Sequence, residues 1–107
     1  MDHLDQEHQE LIANLDELAA LLRAHDVRDW AEWLDHDYGA LVELDATALD
    51  HLLQAYGGMG SLNDLIIHPV NGHAVVTDMI DPVNERLSAL RSAVHQLATS
   101  LRRSLHR

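Results

Sequence analysis

The spacing of apolar positions changes twice along this chain, and the changes divide it into elements. Leu4, Leu11, Leu15, Leu18 and Leu22, widened by Ile12 and Ala19, fall on one face at a period near 3.6. That period predicts an amphipathic helix over 2–24. His25-Asp26-Val27 breaks it. Asp29 is a good helix-capping residue type and predicts a second helix to about Leu44, with Trp30, Leu34 and Leu41 on the core stripe and Trp33 and Leu44 beside it. Asp45 predicts the cap of a third helix over 46–56, carried by Leu49, Leu52 and Leu53 and stopped by Gly57-Gly58.

The period then changes. Leu65-Ile66-Ile67-His68-Pro69-Val70 and His73-Ala74-Val75-Val76-Thr77 flank Asn71-Gly72, the pair that favours a two-residue turn between antiparallel strands. The expectation is a β-hairpin with Leu65, Ile67, Pro69, Ala74 and Val76 on its core face and an edge left free beside Pro69, which has no N–H to donate. Asp81-Pro82 predicts the start of a long closing helix through Val83, Leu87, Leu90, Val94, Leu97, Leu101 and Leu105. The fold class expected is therefore mainly α. Three N-terminal helices, a β-hairpin around Asn71-Gly72 and a long C-terminal helix make one domain over 1–107.

Composition narrows the functional classes. The 107 residues are 47% apolar and contain no cysteine, which excludes disulfides and thiol chemistry. No apolar stretch approaches a membrane span, and the acidic N-terminus lacks the order of a signal peptide, so a cytoplasmic protein is expected. The net charge of −11 is unevenly placed. Residues 1–64 hold fifteen acids against Arg23 and Arg28, a net of −13, while residues 65–107 hold three acids against five arginines, a net of +2. Such a field repels nucleic acid and anionic membrane and attracts basic protein surfaces.

Candidate chemistry is sparse. His68 and His73 fall diagonally on one face of the expected hairpin and are the metal-ligand candidates, with turn histidines at a surface as the preferred reading. Asp5-Gln6-Glu7-His8-Gln9-Glu10-Leu11 resembles the opening helix of hemerythrin-type di-iron proteins. No other helix offers a matching His/Glu pair, since the second has only His36 and the third only His51, so that reading is set aside. Gly57-Gly58-Met59-Gly60-Ser61 lacks the lysine and preceding strand of a phosphate loop. It reads as a tight helix exit followed by a Ser61 or Asn63 cap. No nucleophile–base arrangement is present, and neither an enzyme nor a cofactor is expected.

The run Tyr56-Gly-Gly-Met-Gly-Ser-Leu-Asn-Asp-Leu65 resembles the signature of a family of small bacterial proteins of unknown function. Asn71-Gly72 and the later Asn84, Leu87, Leu90 and Arg91 match further parts of that pattern, over about residues 30–98. The resemblance implies a fold and a bacterial origin and supplies no activity. Gly57, Gly58, Gly60, Ser61, Asn63 and Asp64 are its structural motif. The function expected is a protein-binding module, an immunity or antitoxin-like protein that caps a basic toxin, with Trp33, Asp35, Asp37, Tyr38, Glu43 and Met59 as contacts. The alternative is a non-catalytic homodimer using the free hairpin edge or an apolar helix face, and mimicry of DNA is a variant of the acidic-partner reading.

Overall fold

A computed structural model describes residues 3–105. Four helices carry the fold: α1 (His3–Ala24), α2 (Arg28–Val42), α3 (Ala46–Gln54) and α4 (Ile80–Leu105). The expected first residue of α1, Asp2, lies outside the described residues. Each helix packs on the next, and α1 closes the ring against α4. Side-chain pairs give the directions. Arg23 meets Asp35 and His8 meets the carbonyl of Leu41, so α1 and α2 run antiparallel. Tyr56, just past α3, meets Arg91, and Asp50 meets Arg102, so α3 and α4 do too.

The core is the predicted leucine stripe closed on itself. Leu11, Leu15, Leu18 and Leu22 of α1 face Leu34 and Leu41 of α2, Leu49 and Leu52 of α3, and Leu87, Leu90 and Leu101 of α4, all essentially without solvent contact. Trp30 is half-buried and packs against this core. Burial of this kind contributes about 1.5–3 kcal/mol for each such side chain and is what holds helices of modest intrinsic propensity in place.

Two of the corners are built the same way. Asp26 and Leu44 take left-handed backbone angles, φ 61° and 57°. Val27 N–H donates to Leu22 and Asp26 N–H to Arg23 at the first corner, and Asp45 N–H to Ala40 and Leu44 N–H to Leu41 at the second. Both are Schellman closures made without glycine. Asp29 is not the cap of α2: Val27 holds that position with no side-chain bond, because the corner already orients the chain. Asp45 does cap α3, accepting from Thr47 N–H at 2.8 Å.

The β-hairpin is not formed, and the described residues contain no strand. Segment 57–79 instead crosses the bundle through three single 3-10 turns, at Leu62–Asp64, Pro69–Asn71 and Thr77–Met79. Asn71-Gly72 does make a turn, with Gly72 at φ 83°, but the turn starts from His68 and includes Pro69. The arms beyond it have other partners. Ala74 N–H donates to the His25 carbonyl at 3.0 Å, and the His25 ring contacts the Ala74 carbonyl at 2.7 Å through Nδ1. Ile67 is held by a side chain: its N–H donates to Asn84 Oδ1 and its carbonyl accepts from Asn84 Nδ2, both at 2.8 Å. The Asn84 carboxamide thus supplies the donor–acceptor pair that a neighbouring strand would have supplied. Pro69 and competition from α4 side chains explain why β-rich residues form no ladder.

Candidate functional site

The glycine-rich segment is a corner fixed at both ends. Gly58 and Gly60 adopt φ 85° and 76°, and Leu62 N–H then reaches back to the Ala55 carbonyl at 2.8 Å. Of the expected caps, Ser61 does hold the N-cap position of the Leu62–Asp64 turn, though without a side-chain bond to it. Ser61 is buried with no hydrogen-bond partner for its hydroxyl among the described residues, and Asp64 ties the corner by accepting from Gly60 N–H at 2.9 Å. Leu62 and Ile67 anchor the segment in the core. Arg91 donates to the Leu65 carbonyl at 2.8 Å, and Tyr56 donates its hydroxyl to the Arg91 carbonyl at 2.7 Å. Burial raises the Tyr56 hydroxyl well above the usual tyrosine range, against a smaller opposing pull from Arg91.

This anchored segment displays apolar side chains. Met59, Ile66, Val70, Val76 and Met79 are five of the seven large exposed hydrophobics among the described residues, and Met59 is wholly exposed. A shallow cleft of about 350 Å³ runs between this segment and the α1–α2 corner, lined by Asp26, Trp30, Leu65, Asn71 and His73.

The sequence-predicted contact residues are distributed unevenly. Met59 and Glu43 are exposed, and Tyr38 is half-buried beside His8, Ile12 and Val42. Asp35 is exposed but paired, receiving Arg23 at 2.9 Å on both oxygens. Asp37 cannot serve as an encounter contact, because it is 3% exposed and sits between α2 and α3. Trp33 is turned towards the same place, its ring stacked on His51 with centroids 4.3 Å apart and its indole N–H buried without a partner among the described residues.

Around Asp37 the structure assembles a cluster that sequence spacing did not reveal. His51 Nδ1 lies 2.7 and 2.8 Å from the two carboxylate oxygens, and His36 Nδ1 lies 3.3 Å from one of them. The bond to an acceptor-only carboxylate places the His51 proton on Nδ1. The signal available in the sequence was slight: an acid on the apolar side of α2, between Leu34 and Leu41, with one histidine on each of two adjacent helices. The histidine pair that was singled out does something else. His68 Nδ1 accepts from Val70 N–H and His73 Nδ1 accepts from His68 N–H, so both rings close the local turn.

The fold and these two features define a small helical domain with a pinned, apolar connecting segment. Residues 23–76 match a family described as a domain of unknown function (DUF6966), and the chain belongs to that family. The match takes in α2, α3 and most of the connecting segment, and stops before α4. No curated protein and no solved structure matches the chain. No helix among the described residues is long and apolar enough to cross a membrane.

Proposed function

We propose that this chain is a non-catalytic protein-binding module of bacterial, cytoplasmic origin, with an immunity or antitoxin-like role towards a basic toxin. The observation that carries the reading is the gathering of exposed large hydrophobics on 59–79, beside a helical half with a net charge of −13 over residues 1–64. Acidic residues would speed encounter with a basic surface, and a few apolar anchors would hold the complex. In this reading Tyr56–Leu65 is the family's signature and serves to present Met59. Because the segment is anchored by Leu62, Ile67, Asn84 and Arg91, little ordering entropy opposes its use as a contact surface. Contacts on α2 reduce to Tyr38, Glu43 and the partly neutralised Asp35.

The same apolar side chains support a second reading, a homodimer formed through 59–79. Of the two faces expected for it, the free strand edge is absent from the described residues. Tagged protein exposed to a lysate of its native cells separates the two readings when compared with a Met59→Ser/Val70→Ser variant. A basic protein retained by the wild type, released at high salt and not retained by the variant supports the proposed function. Recovery of the chain alone, sedimenting as a dimer at micromolar concentration, replaces it with the second reading.

A further inference from the structure

The cluster between α2 and α3 has the composition and spacing of a metal site. One ring nitrogen each of His36 and His51 and a carboxylate oxygen of Asp37 all lie within 4.8 Å of one another. The Asp37 side chain is only 4% exposed, and its partners are imidazoles. His51 brings one Nδ1–H to two carboxylate oxygens. Among the described residues no arginine and no backbone N–H reaches either oxygen. A buried carboxylate is costly unless its charge is matched, and here imidazoles alone are placed to do so.

The distances point the same way. Ligand atoms held at about 2.0–2.1 Å from a tetrahedral zinc ion lie roughly 3.3–3.4 Å from each other. Measured to the shared oxygen Oδ1 of Asp37, the His36 separation of 3.3 Å already has that value, and His51 at 2.8 Å needs to recede by about half an ångström. The Trp33 ring stacked on His51 limits how that imidazole can turn.

We propose that His36, Asp37 and His51 bind a first-row divalent transition-metal ion, Zn2+ being the reference case. Mixed imidazole and carboxylate ligands suit such ions, and the acidic N-terminal half raises the local concentration of cations. The ion takes the Nδ1 lone pair of the His51 tautomer whose single ring proton has moved from Nδ1 to Nε2, so the Nδ1–H bond to Asp37 is given up. Three protein ligands leave one coordination position for water or for a side chain of a binding partner.

The test titrates full-length protein with Zn2+ by calorimetry and, separately, with Co2+ while following tryptophan fluorescence. Trp33 stacks directly on one proposed ligand, so a paramagnetic ion at the site quenches it. The expected result is saturable one-to-one binding in both experiments. His36→Ala should weaken it at least about tenfold. That side chain is 80% exposed, so the variant should keep its circular dichroism spectrum and melting temperature. A His68→Ala/His73→Ala variant should bind as the wild type does. Absence of saturable binding in the wild type, or undiminished binding by His36→Ala, overturns the proposal.

Discussion

Replacing Asn84 with alanine tests whether a side chain from α4 does the work of a missing strand. Ile67 has no solvent exposure, so its peptide groups have no water to fall back on. The carboxamide satisfies its N–H and its carbonyl at 2.8 Å each, and a third bond ties Nδ2 to the Ile80 carbonyl at the start of α4. Truncation orphans two buried groups at about 1–3 kcal/mol apiece. Allowing for partial relaxation, the expected loss is about 2–4 kcal/mol. At about 4 °C per kcal/mol for a domain of this size, the melting temperature should fall by about 8–16 °C. Urea unfolding should show a lower midpoint at unchanged slope, and amide exchange at Ile67 should accelerate more than exchange at core leucines. Asn84→Asp should be at least as damaging at neutral pH, because it keeps the acceptor for Ile67 N–H while setting an oxygen against two carbonyls. A loss below about 0.5 kcal/mol, with Ile67 still protected, would refute the reasoning.

Two further perturbations follow from single residues. The Tyr56 hydroxyl has its proton affinity raised by burial, so above about pH 10 the unfolded chain releases this proton while the native state keeps it. Stability should therefore hold below that point and decline above it by up to about 1.4 kcal/mol per pH unit; thermal melts across alkaline pH should show this component vanish in Tyr56→Phe. Gly60→Ala and Gly39→Ala form a matched pair, since an added Cβ meets nothing within 4 Å at either position. Only Gly60 has positive φ, so its substitution should cost about 1 kcal/mol, whereas the change within α2 should stabilise by up to about 1 kcal/mol in urea titrations.

The helices were legible in the sequence because each buries a leucine stripe, and period is the signal that burial leaves behind. Asp45 as a cap was legible for the same local reason. Segment 57–79 was not. Its β-branched residues and Asn71-Gly72 favour a hairpin locally, but the ladder was lost to partners seventeen residues away at Asn84 and forty-nine away at His25. Nothing local encodes that competition. Asp37 illustrates the matching failure at the candidate site: flanked by charged and polar residues it reads as surface, and only the docking of α3 makes it interior. The His36–Asp37–His51 cluster joins two helices fourteen residues apart, a separation carried by no recognised spacing.

The manner in which Ile67 is fixed bears on how this family could diversify. Asn84 recognises the peptide at position 67, and Arg91 recognises the carbonyl of Leu65; neither bond involves the outward side chains between and beyond them. Ile66 and Val70 can therefore be exchanged without unseating the backbone that carries them. A descendant could acquire a different binding preference through a few exposed residues while inheriting the same support, much as a fixed setting accepts interchangeable stones.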